Sequence, residues 1–295
     1  MLSKKFPLSS TYKQKLFQYA RTFENVVWLD SQNETELQQE IHGTEGVIVA
    51  LGEKSHLKCK AGNAFDALSE FVSDGKWAFG FLSYDLKNEI ENSLSSSNFD
   101  GLDFPDLYFF EPEVIIRIEG GEVEVLCEDE VLHSKFCDEY SWEFKVFKSI
   151  NKKDVVVESR LSKSAYMNKV ASVKKHIAKG DVYEINFCHE FFAENANIDP
   201  FEIHEELMAY SPTPFSSFIK ADEKYVLCAS PERFIKKRGN RIVSQPIKGT
   251  VKRGNDDAED LKLKQQLSNN PKERSENIMI VDLVRNDLSQ VAQDG

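Results

Sequence analysis

The stretch that decides the fold runs from Phe215 to Thr250, FSSFIKADEKYVLCASPERFIKKRGNRIVSQPIKGT. It contains four short runs of β-forming residues separated by turn residues, and connections of that length join antiparallel strands. Earlier in the chain, two more strand-like runs, Tyr108 to Ile118 and Val123 to Cys127, meet at Gly120-Gly121, a pair that supplies the positive φ angles of a hairpin turn. Helical patterns lie between and after these runs. One of them is closed by Gly180 as a C-terminal cap, and a strand with Tyr183, Ile185 and Phe187 on one face is expected to follow it. The sequence therefore predicts an α+β fold with antiparallel sheets rather than a doubly wound parallel sheet.

The composition limits the classes of partner. The chain has 37 Lys and Arg against 49 Asp and Glu, a formal net charge of -12. Nucleic acid or an anionic membrane would need a basic face, so neither is expected as a partner. The five cysteines lack a Cys-x-x-Cys pair and indicate neither a disulfide framework nor a zinc site. No stretch reaches the roughly 20 apolar residues that span a bilayer, and we expect a cytoplasmic protein.

The chain is long enough for two subdomains. Of its 295 residues, 41% are apolar, which is enough to bury a real core. The composition turns polar around the segment 151–154, Asn-Lys-Lys-Asp, which is the best candidate for a boundary between two subdomains. We therefore expect an N-terminal subdomain over residues 1–150 and a catalytic subdomain over residues 151–295.

Lys248 follows the last of the four runs, and Glu232 begins the third. A hairpin with the three-residue loop 238–240 would place Glu232 opposite Pro246 and diagonal to Lys248, on one face of the sheet. A two-residue loop would put the two side chains on opposite faces. Asn240 tolerates the left-handed conformation that closes the longer loop, and this favours the first arrangement.

The pair Lys248 and Glu232 predicts chemistry if it lies in a dry pocket. Burial favours the neutral forms of both groups, so the lysine could attack an electrophile and the glutamic acid could donate a proton. The alternative is an ordinary ion pair on an exposed sheet face, which gives neither activity. Residue type and spacing alone favour this alternative, because structural ion pairs outnumber catalytic ones.

Two carboxylates fall on the apolar side of the last predicted helix, which Asn270-Pro271 starts. At 100° per residue, Glu273 and Glu276 project among the apolar residues of the helix. Unpaired charges there would cost several kcal/mol. Mg²⁺, which takes one or two carboxylates with water and an anionic substrate, would remove this cost. Pairing with Arg274 or Arg285 is the alternative, although both arginines project to other sides.

Six segments resemble the chorismate-utilising enzymes. They are 80–86 (GFLSYDL), 104–109 (FPDLYF), 180–186 (GDVYEIN), 229–233 (ASPER), 246–250 (PIKGT) and 273–288 (ERSENIMIVDLVRNDL). Lysine in the Pro-Ile-x-Gly-Thr motif is similar to the aminodeoxychorismate synthase branch of that family, whereas anthranilate synthases have alanine there. The resemblance implies a sandwich of two antiparallel sheets with helices between and around them.

The resemblance also implies a reaction, the amination of chorismate at C4 to 4-amino-4-deoxychorismate. Lys248 would attack C2 while Glu232 protonates the leaving C4 hydroxyl. Ammonia from a separate glutamine amidotransferase subunit would then enter at C4 and expel the lysine. Glu276 matches the family's Mg²⁺ ligand with Glu273 close behind it, and Gly249-Thr250 matches the turn that contacts chorismate.

Three further expectations follow from the resemblance. Ser31 and the segment Pro214-Phe215-Ser216 partly match the family's tryptophan pocket, so L-tryptophan is a possible ligand. Family members run beyond Gly295 and place part of the site there, so we expect the C-terminal part of the fold to be missing and the 295 residues alone to have little activity. Two alternatives to the amination stay open, namely anthranilate synthase component I and a noncatalytic module that binds tryptophan or a partner.

Overall fold

The computed structural model describes residues 1–31, 46–91, 93–143 and 155–293. The chain divides into two units, one of Met1–Phe144 with His204–Gly295 and one of Lys145–Ile203. The predicted break at 151–154 lies outside the described residues, so the boundary between residues 150 and 151 stays a prediction.

Strands and helices are interspersed along the chain. In chain order the strands are β1 (Leu2–Pro7), β2 (Asn25–Asp30), β3 (Val47–Leu51), β4 (Ser55–Cys59), β5 (Phe79–Leu82), β6 (Leu107–Glu111), β7 (Val114–Glu119), β8 (Glu122–Cys127), β9 (Glu158–Ser159), β10 (Phe191–Phe192), β11 (Phe215–Ala221), β12 (Lys224–Ser230), β13 (Arg233–Arg238) and β14 (Arg241–Gln245). The helices are α1 (Tyr12–Ala20), α2 (Ala64–Phe71), α3 (Lys87–Ile90), α4 (Glu130–Phe136), α5 (Lys163–Lys179), α6 (Pro200–Tyr210), α7 (Asp257–Asn269) and α8 (Pro271–Ser289).

A seven-stranded antiparallel sheet is the centre of the larger unit. Its strand order is β1-β8-β7-β3-β2-β11-β12, so two strands from the second half of the chain extend a sheet built from the first half. A three-stranded sheet, β4-β6-β5, and the separate hairpin β13-β14 belong to the same unit. The predicted α+β class with antiparallel sheets is confirmed.

The two larger sheets share a hydrophobic core, as expected for a sandwich. Phe79 of β5 and Phe110 of β6 belong to one buried cluster with Val27, Ile115 and Ile219 of the seven-stranded sheet. On β2, Val26 and Trp28 are also buried although they alternate with Val27. The central strands of the large sheet are therefore covered on both faces, which explains their continuous apolar runs.

The chain passes from one sheet to the other at Pro112, where a single strand was expected. The run Tyr108 to Ile118 was predicted to be continuous, but the structure divides it into β6 of the small sheet and β7 of the large one. Proline has no N-H for a strand ladder, so pairing is interrupted there. The strand predicted around Ile185 is also absent from the described residues.

The predicted helix caps are confirmed in both units. Asn270 accepts hydrogen bonds from the N-H groups of Lys272 and Glu273, and Gly180 ends α5 in the left-handed conformation at φ 81°. In the part of the chain that the structure describes, none of the helices is long and apolar enough to cross a membrane.

His204 of α6 is buried in an apolar setting. Its side chain is only 3% exposed and its ring lies 5.5 Å from that of Phe17 and 5.3 Å from that of Phe218. Its buried Nδ1 has no hydrogen-bond partner among the described residues. Burial lowers the pKa of His204 to about 4, although the charge of Asp30 acts in the opposite direction. The fold therefore holds the neutral imidazole.

We predict that the free energy of unfolding falls as the pH is lowered from about 6.5 to 4. In this range the unfolded chain binds a proton at His204 that the folded chain does not. The total loss of free energy of unfolding from this group is about 3 kcal/mol. His204→Phe should flatten this part of the profile, as measured by urea unfolding at several pH values. Met208→Leu, on the same helix, should keep the wild-type slope. An unchanged slope in His204→Phe would contradict the prediction.

Candidate active site

The hairpin β13-β14 carries the two residues expected to do chemistry near its open end. Its loop is the two-residue turn Gly239-Asn240, because Arg238 pairs directly with Arg241. Gly239 has a φ of 57°, and the two-residue turns that suit hairpins require a positive φ at this position. The prediction of a three-residue loop was therefore wrong, since glycine rather than Asn240 takes the left-handed conformation.

An irregularity in β13 nevertheless restores the register that the longer loop would have given. Lys236 pairs with Val243, but the next pair along the strands is Arg233 with Gln245, so β13 contains one extra residue in between. Such a bulge moves the following residues to the other face of the strand. Continued by one residue, this register sets Glu232 opposite Pro246, as the sequence analysis expected.

The carboxylate of Glu232 makes a direct contact beside Lys248. Its Oε1 accepts a hydrogen bond of 3.0 Å from the backbone N-H of Ile247. The backbone N-H of Glu232 donates to Ser230 Oγ at 3.2 Å, which in turn donates to the Glu232 carbonyl at 3.1 Å. These bonds hold Glu232 at the corner before β13 and next to the segment that carries the lysine.

The neighbouring residue Arg233 also fixes this corner of the chain, through two side-chain contacts. Its Nε donates to Gln245 Oε1 at 2.9 Å, across the pair that follows the bulge. Its guanidinium lies 4.6 Å from the centre of the Phe215 ring, an attractive cation-π arrangement. Phe215 begins β11, which lies between β2 and the edge strand β12, so this contact connects the hairpin to one end of an inner strand of the seven-stranded sheet.

The turn after Lys248 lies against α8. Gly249 has a φ of 78°, and a methyl group on its Cα would come within 2.5 Å of Glu273 Oε2. Only glycine fits here without strain and without displacing the carboxylate. Lys248 is thus flanked along the chain by Ile247, which binds Glu232, and by Gly249, which lies beside Glu273.

The two carboxylates of α8 share a lysine. Lys272 Nζ lies 3.1 Å from Glu276 Oε1 and 3.7 Å from Glu273 Oε1. The hydrogen bond and charge of Glu276, followed by the charge of Glu273, raise the pKa of Lys272. The predicted alternative partner Arg285 binds Asp282 instead, at 2.6 Å. Both predicted ligand residues therefore face a cation, although not an arginine.

The described residues leave this group of side chains open to solvent. Glu232 and Thr250 are exposed, Lys248 and Gly249 are partly buried, and α8 has no buried residue. The expected dry pocket is not enclosed by them, because β13 and β14 form a sheet of their own and no described strand continues it. The apolar residues Ile278 and Leu283 of α8 are also more than half exposed.

The donor set limits which metal could bind. Within the described residues, no group of three or more His, Cys, Asp or Glu side chains is arranged to hold a metal ion. Glu273 and Glu276 provide two carboxylates on one helix face, and Lys272 shows that a cation can lie between them. The pair fits Mg²⁺, which is commonly held by one or two carboxylates while water and substrate supply its other ligands.

The four residues of the predicted tryptophan pocket line one cavity of about 470 Å³. Ser216 Oγ donates to the carbonyl of Asp30 at 2.6 Å, and Ser31 N-H donates to the carbonyl of Gly46 at 3.0 Å. Pro214 and Phe215 complete this part of the wall. The sequence analysis thus identified residues that lie together, and tryptophan as their ligand stays a prediction.

Two features of the site were not anticipated. Lys272 and Glu276 are four residues apart on a predicted helix, and this spacing alone could have indicated their ion pair. The contact of Arg233 with Phe215 depends on how the hairpin meets the sheet, and no local pattern indicates it.

The amino-acid sequence is similar to those of known proteins. Among curated proteins, aminodeoxychorismate synthase component 1 of Bacillus subtilis is 29% identical over 242 residues, which cover 77% of this chain and 50% of the relative. That of Klebsiella aerogenes is 40% identical over 137 residues, covering 46% and 30%. Anthranilate synthase component 1 of Saccharolobus solfataricus is 31% identical, covering 73% and 49%. The chain spans about half the length of the curated relatives it matches, or less.

Solved structures share the fold. Anthranilate synthase component I of Streptococcus pneumoniae superposes with a TM-score of 0.70 at 20% identity, over 82% of this chain and 61% of that one. The isochorismate synthase MenF of Escherichia coli superposes with a TM-score of 0.60 at 13% identity, over 95% and 62%. Residues 16–295 match the family described as chorismate binding enzyme, and the chain belongs to that family.

Proposed function

We propose that the protein aminates chorismate at C4 to 4-amino-4-deoxychorismate through a covalent intermediate on Lys248. The observation that carries this proposal is the position of Lys248 between two neighbours that contact Glu232 and Glu273. A lysine in the Pro-Ile-x-Gly-Thr motif resembles the aminodeoxychorismate synthase branch, and relatives of that name are among the curated matches.

In the first step the neutral amine of Lys248 attacks C2 of chorismate. As the C2-N bond forms, the C1=C2 electron pair moves to C1=C6 and the C5=C6 pair moves to C4=C5. The C4-O bond breaks, and the hydroxyl leaves as water with a proton from Glu232. The contact between Ile247 N-H and Glu232 Oε1 holds the acid near the lysine and leaves Oε2 for that proton. Glu232 thus acts beside the bond that breaks.

In the second step ammonia attacks C4 and both ring double bonds shift back to C5=C6 and C1=C2. The C2-N bond then breaks and Lys248 leaves as an amine, while the proton released by the incoming ammonia restores Glu232. The net change is replacement of the C4 hydroxyl by an amino group with loss of water. The enolpyruvyl group is untouched, because no step places a base at the carbon from which pyruvate would be eliminated.

The remaining residues bind the substrate. Gly249 and Thr250 form a turn whose backbone N-H groups and hydroxyl are suited to a substrate carboxylate. Glu276, with Glu273 close behind, would hold Mg²⁺, which when bound neutralises a carboxylate of the dianionic substrate. Lys272 occupies that place among the described residues and must turn away for the metal.

The ammonia source and the compartment are part of the same proposal. The relatives are named as component 1, which supports a second component, and we propose a glutamine amidotransferase that supplies ammonia. All five cysteines are free thiols, in keeping with the reducing cytosol.

We predict that Lys248→Ala in the complete protein lowers turnover of chorismate with ammonia and Mg²⁺ by about a thousandfold or more, because the covalent route is removed. Mass spectrometry of wild-type protein quenched without ammonia should find the substrate skeleton attached at Lys248. Lys252→Ala, an exposed lysine four residues on, should keep the activity and the adduct. Full turnover in Lys248→Ala would exclude the proposal, whereas a noncatalytic module would show neither turnover nor adduct.

Mg²⁺ binding should respond in opposite directions to two substitutions on α8. Glu276→Gln is expected to weaken it about tenfold or more, because a charged ligand is lost. Lys272→Met should tighten it, since a competing cation is removed. Asp282→Asn on the same helix is the matched control and should have no effect in titration calorimetry. Equal affinity in Glu276→Gln and the control would rule out this site.

The product distinguishes amination from anthranilate synthesis. We expect the complete protein with its ammonia source to consume chorismate without forming pyruvate, since the enolpyruvyl group is retained. A coupled lactate dehydrogenase assay measures pyruvate directly, and release of one pyruvate for each chorismate consumed would favour an anthranilate synthase component I instead.

A further inference from the structure

Ser244 of β14 lies opposite the irregularity in β13. The strands pair on both sides of this point, but two residues of β13, Phe234 and Ile235, face the single residue Ser244. This two-to-one arrangement is a β-bulge, which interrupts the ladder of backbone hydrogen bonds. The Ser244 side chain bridges the interruption, because its Oγ donates a hydrogen bond of 2.7 Å to the carbonyl of Phe234.

Burial among the described residues does not hold the two residues of the bulge in place. The side chain of Phe234 is 85% exposed and that of Ile235 is 49% exposed. The hairpin also forms a two-stranded sheet of its own. Strand register is strongly specified where one face is buried and weakly specified where none is. Contacts between the two strands therefore matter for the position of the extra residue, and the Ser244 hydrogen bond spans the bulge itself.

The register of the hairpin decides where the carboxylate of Glu232 lies. With the bulge, the pairing continued by one residue sets Glu232 opposite Pro246 and on the same face as Lys248. A regular ladder continued from the turn would set Glu232 opposite Ile247, on the other face from Lys248. Loss of the bulge would thus separate the two side chains without breaking either strand.

We propose that Ser244 is a positioning residue, which holds the bulge and so keeps Glu232 on the face of Lys248. The inference rests on the proposed role of Glu232 as the acid beside that lysine. Threonine carries the same hydroxyl group and suits a strand, whereas valine has nearly the shape of threonine without the hydroxyl. A comparison of Ser244→Thr with Ser244→Val therefore isolates the hydrogen bond from side-chain size and strand propensity.

The first test measures turnover in the complete protein with chorismate, ammonia and Mg²⁺. We expect kcat in Ser244→Val to be about threefold to tenfold lower than in Ser244→Thr, the population change that one ordinary hydrogen bond produces. In a Glu232→Gln background the same comparison should show no difference, because the acid is already absent. A serine that only stabilised the fold would lower kcat equally in both backgrounds, and that result would overturn the proposal.

The second test measures the register without the reaction, through disulfide formation in the complete protein. Glu232→Cys with Pro246→Cys places two thiols opposite each other in the bulged register, and Glu232→Cys with Ile247→Cys does so in the regular one. In glutathione buffer the first pair should form its disulfide more readily, as measured by peptide mass mapping. Adding Ser244→Val, but not Ser244→Thr, should shift the balance toward the second pair by about threefold to tenfold.

The two tests separate a failure of this inference from a failure of the proposed function. An equal disulfide balance in the two Ser244 variants would overturn the role of Ser244 in the register. A shifted balance together with unchanged turnover in Glu232→Gln would support that role and reject Glu232 as the acid of the proposed reaction.

Discussion

Pairing between β11 and β2 is the interaction on which the rest of the larger unit depends. The two strands are antiparallel in register from Ser216 with Asp30 to Ala221 with Asn25. This ladder joins the second half of the chain to a sheet made by the first half, and it buries Phe218 and Ile219 on opposite faces. The hairpin that follows the edge strand β12 is thereby brought beside the sheet, where Arg233 contacts Phe215 at the start of β11.

The geometry around Lys248 rests on two close approaches rather than on enclosure. One is the hydrogen bond from Ile247 N-H to Glu232, and the other is the approach of Gly249 to Glu273. Each uses a backbone position next to Lys248, so the backbone of the lysine is held from both sides. A side chain at position 249 would disturb both the turn and the carboxylate, which is why glycine is required there.

Local patterns predicted much of this arrangement. The four strand runs after Phe215 and the cap at Asn270 were predicted from the sequence and lie where expected. The turn at Gly239-Asn240 was assigned the wrong length, because either of two residues could take a positive φ and the pattern of side chains does not decide which. The exposure of Glu232 depends on which strands lie beside the hairpin, a property of tertiary structure that periodicity cannot reveal.

The extra residue in β13 compensates for the short turn. The two features are coupled because each shifts the pairing of the strands by one residue, in opposite directions. One residue added to the turn would shift every pair beyond it by one place, unless one residue were lost between Arg233 and Lys236. In natural variation, length changes in this hairpin should therefore occur as compensating insertions and deletions, and a homologue with a longer turn should have a regular strand where this chain has its extra residue.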